Sequence, residues 1–91
     1  MRVLQANIFK RQVKKMHKAE KTALDTVIKQ IMANPTNGKL KVGDLAGVQI
    51  FKYKFKTQQY LVAYTYVDNE VLLTFVYHGS HENFYRDLKR K

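Results

Sequence analysis

The sequence predicts an α+β fold: a small, mostly antiparallel β-sheet with an N-terminal helical hairpin on one face and a short C-terminal helix. Apolar residues recur at helical spacing as far as Asn34-Pro35, and at alternating, strand-like spacing from Val48 onward. The predicted order of elements is therefore β-α-α-β-β-β-α. A chain of 91 residues buries too small a core for several domains, so we expect residues 1–91 to fold as one domain.

Two helices are predicted in the N-terminal half, after a short strand at residues 2–5. Asn7 is expected to cap the first helix, which runs to about His17. Its predicted buried stripe consists of Phe9, Val13 and Met16. Lysines and an arginine occupy the rest of its circumference, so this helix should present a cationic surface.

The second helix has a weak start signal and a clear stop. Thr22 and Asp25 lie three residues apart and predict a cap. Apolar residues then recur at helical spacing: Leu24, Val27, Ile28, Ile31 and Met32. Asn34-Pro35 ends the helix, because the residue before a proline avoids the helical conformation. We expect the apolar edges of both helices to cover the sheet.

Three strands are predicted at residues 48–56, 59–67 and 70–78, after a glycine-rich loop at residues 36–47. The breaks at Thr57-Gln58 and Asp68-Asn69 are short enough for tight hairpins, and the Asp-Asn pair tolerates positive φ. The segment that follows residue 78 is predicted to form the final helix.

The first of these strands alternates aromatic and cationic side chains. Because successive side chains of a strand point to opposite faces, Phe51, Tyr53 and Phe55 should meet the helices. The residues between and after them should then form a cationic row on the other face: Lys52, Lys54 and Lys56. Lysines of this kind also protect edge strands against aggregation, so the row alone does not establish a binding site.

Composition favours a polyanionic partner. Seventeen lysines and arginines against seven acids give a net charge of +10, which attracts phosphate backbones and acidic proteins. Solubility alone would also explain a high net charge. There is no cysteine and no metal-ligand spacing among the three histidines, so we expect no metal and no other cofactor. The lack of a long apolar run and of an aromatic insertion face predicts a soluble, cytoplasmic protein without a membrane role.

Several reactive side chains follow the last predicted strand. If Ser80 caps the final helix, His81 falls in its first turn, where the helix dipole disfavours imidazolium and leaves a base-competent neutral ring. Tyr85 lies one turn later on the same side, and Arg86 follows it. A polar helix start, an aromatic anchor and a solvated cation would account for the same three residues.

The ordered set of these features resembles the RelE/ParE superfamily of toxins from bacterial type II toxin–antitoxin modules. The features are the Asn34-Pro35 stop, the Gly43–Gly47 loop, the Phe51–Phe55 strand and the Gly79–Arg90 tail. The resemblance extends over essentially the whole chain, and it implies the same fold as the periodicity does.

For the RelE-like branch, the resemblance implies a ribosome-associated endoribonuclease that cleaves mRNA without a metal. Lys52 and Lys54 would stabilise charge, His81 would act as acid or base, and Tyr85 would stack or assist. RelE-like proteins carry an arginine on the next strand where this chain has Leu61, so Lys56 or Arg86 would bind the phosphate instead.

The resemblance leaves two other functions open. A ParE-like member would inhibit DNA gyrase without chemistry of its own. A basic nucleic-acid-binding module would neither cleave mRNA nor inhibit gyrase. The expected partners are an acidic antitoxin, mRNA and the ribosome, with DNA contacted only through an antitoxin complex. Three cations of the helical region would bind ribosomal RNA: Lys14, Lys15 and Lys18.

Overall fold

The computed structural model describes residues 1–36, the backbone of residues 39–40, residues 47–77 and the backbone of His78. Five strands form one sheet in the spatial order β1-β5-β4-β3-β2. The strands are β1 (Arg2–Gln5), β2 (Lys39–Leu40), β3 (Gln49–Phe55), β4 (Gln58–Val67) and β5 (Glu70–His78). The edge strand β1 runs parallel to β5, and all other pairs are antiparallel. The α+β prediction is confirmed, and the predicted final helix lies outside the described residues.

The segment predicted as a loop at residues 36–47 contains the short strand β2. Lys39 pairs with Ile50 and Leu40 with Gln49, which places this strand on the outer edge of β3. Two residues carry too little alternation to be recognised as a strand from the sequence.

Two helices, α1 (Asn7–Lys14) and α2 (Lys18–Ala33), connect β1 to the rest of the sheet. The predicted extension of the first helix to His17 is wrong. The amides of Lys15 and Met16 bond to carbonyls three residues earlier, and this tighter turn ends α1. Ala6, rather than Asn7, occupies the N-cap position.

The second helix begins earlier than Thr22, because His17 and Glu20 supply its start. The His17 amide donates to Glu20 Oε1 at 3.1 Å, which satisfies a backbone group that the helix leaves unpaired. Thr22 lies inside α2, where its hydroxyl donates to the Lys18 carbonyl at 3.1 Å. The predicted end is confirmed, since α2 stops at Ala33 and Asn34 is its C-cap.

The helices pack on one face of the sheet, which we call the helix side. Phe9 of α1 and Leu24, Val27 and Ile31 of α2 are buried there. Their partners on the strands include Tyr60, Val62, Tyr64, Val71, Leu73 and Val76, with Phe51, Tyr53 and Phe55 packed around them. The predicted orientation of the β3 aromatic residues is therefore confirmed.

A β-bulge in β5 changes which side chains face the helices. Ala63 pairs with Phe75 but Tyr64 pairs with Leu73, so Thr74 is the extra residue. Its hydroxyl donates to the Ala63 carbonyl at 2.9 Å. After the bulge Val76 lies on the helix side, whereas Phe75 belongs to a cluster on the opposite face.

The two hairpin turns differ in how well the sequence predicts them. Asp68 and Asn69 have φ values of 52° and 61°, the pair of positive angles expected for a type I′ turn. The β3–β4 turn consists of Lys56 and Thr57, and Lys56 has a φ of 58°. Strand β3 therefore ends at Phe55, one residue before its predicted limit at Lys56.

Helix α1 completes the edge of β5 beyond the end of β1. The Ala6 amide donates to the Leu73 carbonyl at 2.9 Å, and the chain then turns into α1. The Val76 amide, which β1 no longer reaches, donates to Gln12 Oε1 at 2.9 Å. One side chain thus replaces a missing strand partner and fixes α1 against the sheet.

Replacing Gln12 with leucine should destabilise the fold, because the Val76 amide would lose its acceptor. We expect the free energy of unfolding to fall by about 1–3 kcal/mol, measured by urea denaturation. Gln30→Leu, at an exposed position of α2, is the matched control. Equal stability of both variants would contradict the role assigned to Gln12.

Candidate nucleic-acid interface

Lys52 and Lys54 lie exposed on the face of the sheet opposite the helices, here called the lysine face. Strand parity places them side by side, because Phe51, Tyr53 and Phe55 occupy the helix side. Among the described residues, neither ammonium forms an ion pair. An ion pair joins Arg2 to Glu70 at 3.4 Å, at the opposite end of the sheet.

Beside these cations, the side chains that point towards the lysine face are apolar and buried. Leu61 is the cross-strand partner of Lys52, and its side chain is 0 % exposed. It packs with Ile50, Ala63 and Phe75, all of them buried. Leu61 is therefore a core residue, so no polar side chain extends from this position towards a phosphate.

Tyr77 also lies on the lysine face, and sequence reasoning missed it. It pairs with Leu61, which places Lys52, Leu61 and Tyr77 in one row across three strands. Its ring stacks on Phe75 with centroids 6.2 Å apart and planes inclined by 15°. Simple alternation along β5 would have put Tyr77 on the same side as Leu73. The bulge at Thr74 reverses this, and it could not be predicted because no glycine or proline marks it.

Lys56 departs from the predicted cationic row. Its positive φ turns it out of β3, and its Nζ lies 5.6 Å from the centre of the Phe55 ring, which packs on the helix side. The row therefore consists of Lys52 and Lys54, and Lys56 lies at the hairpin turn. His81, Tyr85 and Arg86, the other residues predicted for this site, lie outside the described residues.

Lys14, Lys15 and Lys18 surround the turn between α1 and α2, and all three are exposed. A hydrogen bond of 2.6 Å from the Tyr60 hydroxyl to Glu20 Oε2 ties the start of α2 to β4. Tyr60 pairs with Tyr53, next to Lys54, so this turn lies at the end of the sheet that carries Lys54. The structure thus brings two predicted cation groups to the same end of the molecule.

The Tyr60 hydroxyl is held in its protonated form. Burial, followed by the hydrogen bond to Glu20, raises the pKa of Tyr60 to about 12. Burial, followed by the charges of Tyr60 and Glu20, also raises the pKa of Tyr53 above that of an exposed tyrosine. The two rings stack with centroids 5.2 Å apart, so the pair forms a neutral aromatic wall at neutral pH.

Two cavities open on either side of the Glu20–Tyr60 hydrogen bond. The larger has a volume of about 490 Å³ and extends towards α1 and the end of β5. Besides His17, Glu20 and Tyr60, its lining includes Gln12, Lys15, Met16, Val76 and Tyr77. The smaller, of about 360 Å³, extends to the β3–β4 turn and is bordered by Phe55, Lys56 and Gln58.

The described part of the chain contains no cluster of three or more histidine, cysteine or acidic residues that would hold a metal ion. Within the same residues, no helix is long and apolar enough to cross a membrane. Among the described residues, the lysine face carries the ammonium groups of Lys52 and Lys54 and the ring of Tyr77, which suit an anionic partner that also has flat rings.

A family model described as "ParE-like toxin of type II bacterial toxin-antitoxin system" matches residues 3–89. The chain belongs to this family. The predicted membership in the RelE/ParE superfamily is confirmed. The protein is thus a toxin of the type II toxin–antitoxin class. Among curated proteins, none matches the sequence.

Two solved structures show the same fold. The isolated E. coli RelE toxin aligns with a TM-score of 0.68 at 15 % identity, covering 98 % of this chain and 96 % of that chain. A chain of the intact E. coli RelBE toxin–antitoxin complex aligns with a TM-score of 0.69 at 13 % identity, covering 88 % of this chain and 98 % of that chain. At these identities the likeness concerns the fold.

Introducing an arginine at Leu61 should unfold this toxin rather than add a phosphate ligand. The side chain would carry an unpaired charge into a fully buried position, at a cost of about 3 kcal/mol or more. Thermal or urea denaturation measures the loss, and Lys52→Arg on the adjacent strand is the matched exposed control. An unchanged midpoint for Leu61→Arg would show that the position is open to solvent.

Proposed function

We propose that this toxin is a ribosome-associated endoribonuclease that cleaves mRNA by attack of the ribose 2′-OH on the adjacent phosphorus. The observation that carries this proposal is the exposed pair Lys52 and Lys54, which lacks an acidic partner among the described residues. Two adjacent ammonium groups suit a phosphate that gains charge as the reaction proceeds. The likeness of the fold to E. coli RelE supports the same assignment.

The reaction requires a base, an acid and a source of positive charge. A base removes the 2′-OH proton, the new P–O bond forms a 2′,3′-cyclic phosphate, and an acid protonates the departing 5′ oxygen. His81, three residues beyond β5 in the sequence, is assigned the proton transfers. Lys52 and Lys54 stabilise the charged phosphate, and Tyr85 stacks on a base or assists the transfer.

The apolar character of Leu61 favours a second candidate function, a ParE-like inhibitor of DNA gyrase that does no chemistry. Where a nuclease of this kind would gain from a further cation beside Lys52, the chain has a buried leucine. The family model also carries the ParE-like description. In this case Lys52 and Lys54 would serve as docking contacts.

The antitoxin partner follows from membership in a toxin–antitoxin family. An acidic, partly disordered segment that folds over the lysine face would neutralise part of the net charge of +10 and block Lys52 and Lys54. A chain of the same fold is found in the intact E. coli RelBE toxin–antitoxin complex.

Primer extension on mRNA from cells that briefly express the toxin tests the proposal. We expect discrete cleavage sites for the native chain and for Lys29→Ala, an exposed lysine of α2. His81→Ala and the double variant Lys52→Ala/Lys54→Ala should each lose cleavage by about 100-fold or more. Circular dichroism and melting curves of the variants establish that the fold is retained.

Each alternative leads to a different outcome of that experiment. Retained toxicity of His81→Ala with damaged DNA and uncut mRNA would replace the nuclease by the gyrase inhibitor. If the native chain neither cuts mRNA nor damages DNA, the protein is a basic binding module.

The cations around the α1–α2 turn should supply affinity for ribosomal RNA without sequence preference. Replacing Lys14, Lys15 or Lys18 with alanine should each reduce the slope of log affinity against log salt by about one. Ribosome cosedimentation over a range of salt concentrations measures the slope. Lys29→Ala should leave it unchanged, and the same slope for all variants would rule out this contact surface.

A further inference from the structure

We infer that the larger cavity is a subsite for the base of a nucleotide that flanks the scissile phosphate, and that Gln12 reads this base. The inference rests on the proposed nuclease function and adds a determinant of cleavage specificity. It assigns a role to a cavity of about 490 Å³ that does not contain Lys52 or Lys54.

The cavity adjoins the lysine face through Tyr77. This residue lies in the row Lys52–Leu61–Tyr77 across the sheet, and it also lines the cavity. Tyr77 and the cavity lie at the end of the sheet where β5 finishes, and Lys54 lies at the same end. A nucleotide next to a phosphate bound at Lys52 and Lys54 would reach the cavity around the end of β5.

The lining of the cavity suits a flat aromatic ring that carries an adjacent phosphate. Met16 and Val76 supply apolar surface, and Tyr60 supplies an aromatic ring, a kind of side chain on which bases of RNA stack. Lys15 is exposed at the border of the cavity and would pair with the other phosphate of that nucleotide, the one not bound at Lys52 and Lys54.

Gln12 distinguishes one base from another, because a hydrogen bond to a backbone amide fixes which end of its side-chain amide faces the ligand. Its Oε1 accepts from the Val76 amide at 2.9 Å, so the amide cannot be reversed without losing that bond. The NH₂ group is then presented as a donor. It pairs with a carbonyl oxygen, which uracil, guanine and cytosine possess and adenine lacks.

The substitution Gln12→Glu isolates this contact. A glutamate keeps an oxygen for the Val76 amide but replaces the NH₂ donor with an acceptor. Mapping of RNA 5′ ends should then show an inverted preference at one position beside the cut. The native toxin should disfavour adenine there by about tenfold, and Gln12→Glu should accept adenine and disfavour uracil by a similar factor.

Lys29→Ala serves as the control and should reproduce the native base frequencies. Should Gln12→Glu fail to fold, as judged by melting curves, Met16→Phe narrows the cavity and should weaken the native preference. Base frequencies that stay native in a folded Gln12→Glu variant would overturn the inference.

A binding measurement separates this inference from the nuclease proposal. NMR titration of the native toxin with UMP should shift the Gln12 side-chain NH₂ and the Val76 amide more than titration with AMP. If mRNA is not cut but this difference is present, the nuclease proposal fails and the base subsite stands. Equal shifts with UMP and AMP would overturn the subsite. So would a Gln12 side-chain NH₂ that shifts when antitoxin binds but with neither nucleotide.

Discussion

The alternation of side chains along β3, packed against the helix pair, sets both the core and the lysine face. Burying Phe51, Tyr53 and Phe55 beneath the helices leaves Lys52 and Lys54 only the opposite face. A shift of one residue would bury both ammonium groups and expose the aromatic rings, so the core and the cationic pair are specified by the same register. The stability of the fold and the position of the candidate site therefore cannot be changed independently.

Two polar side chains hold the helices at the end of the sheet where the site lies. Gln12 takes the position of a missing strand at the Val76 amide, and Glu20 accepts from the Tyr60 hydroxyl. Glu20 also accepts from the His17 amide, so one carboxylate both starts α2 and attaches it to β4. These bonds place Lys14, Lys15 and Lys18 near the same end of the sheet as Lys54, so the cations of both groups attract a polyanion towards that end.

The parts of the fold that could be predicted are those in which side-chain periodicity and burial agree. The helix stop at Asn34-Pro35, the Asp68-Asn69 turn and the orientation of Lys52 and Lys54 each have a local physical cause that the sequence displays. The errors arise where the local signal is unusual or absent. The N-cap of α2 is His17, which is not one of the usual capping residues, Lys56 adopts a positive φ that is unusual for lysine, and the bulge at Thr74 lies in a run that is apolar on both faces.

A crystal structure of the toxin with an RNA whose 2′-OH at the cleavage position is methylated would show where the scissile phosphate binds, since methylation blocks the attack but preserves binding. We expect the scissile phosphate on the lysine face, with the ammonium groups of Lys52 and Lys54 and the imidazole of His81 within about 3 Å of its oxygens or of the 2′ oxygen. A phosphate bound on the helix side, or an imidazole on the far side of the molecule from Lys52, would contradict this expectation.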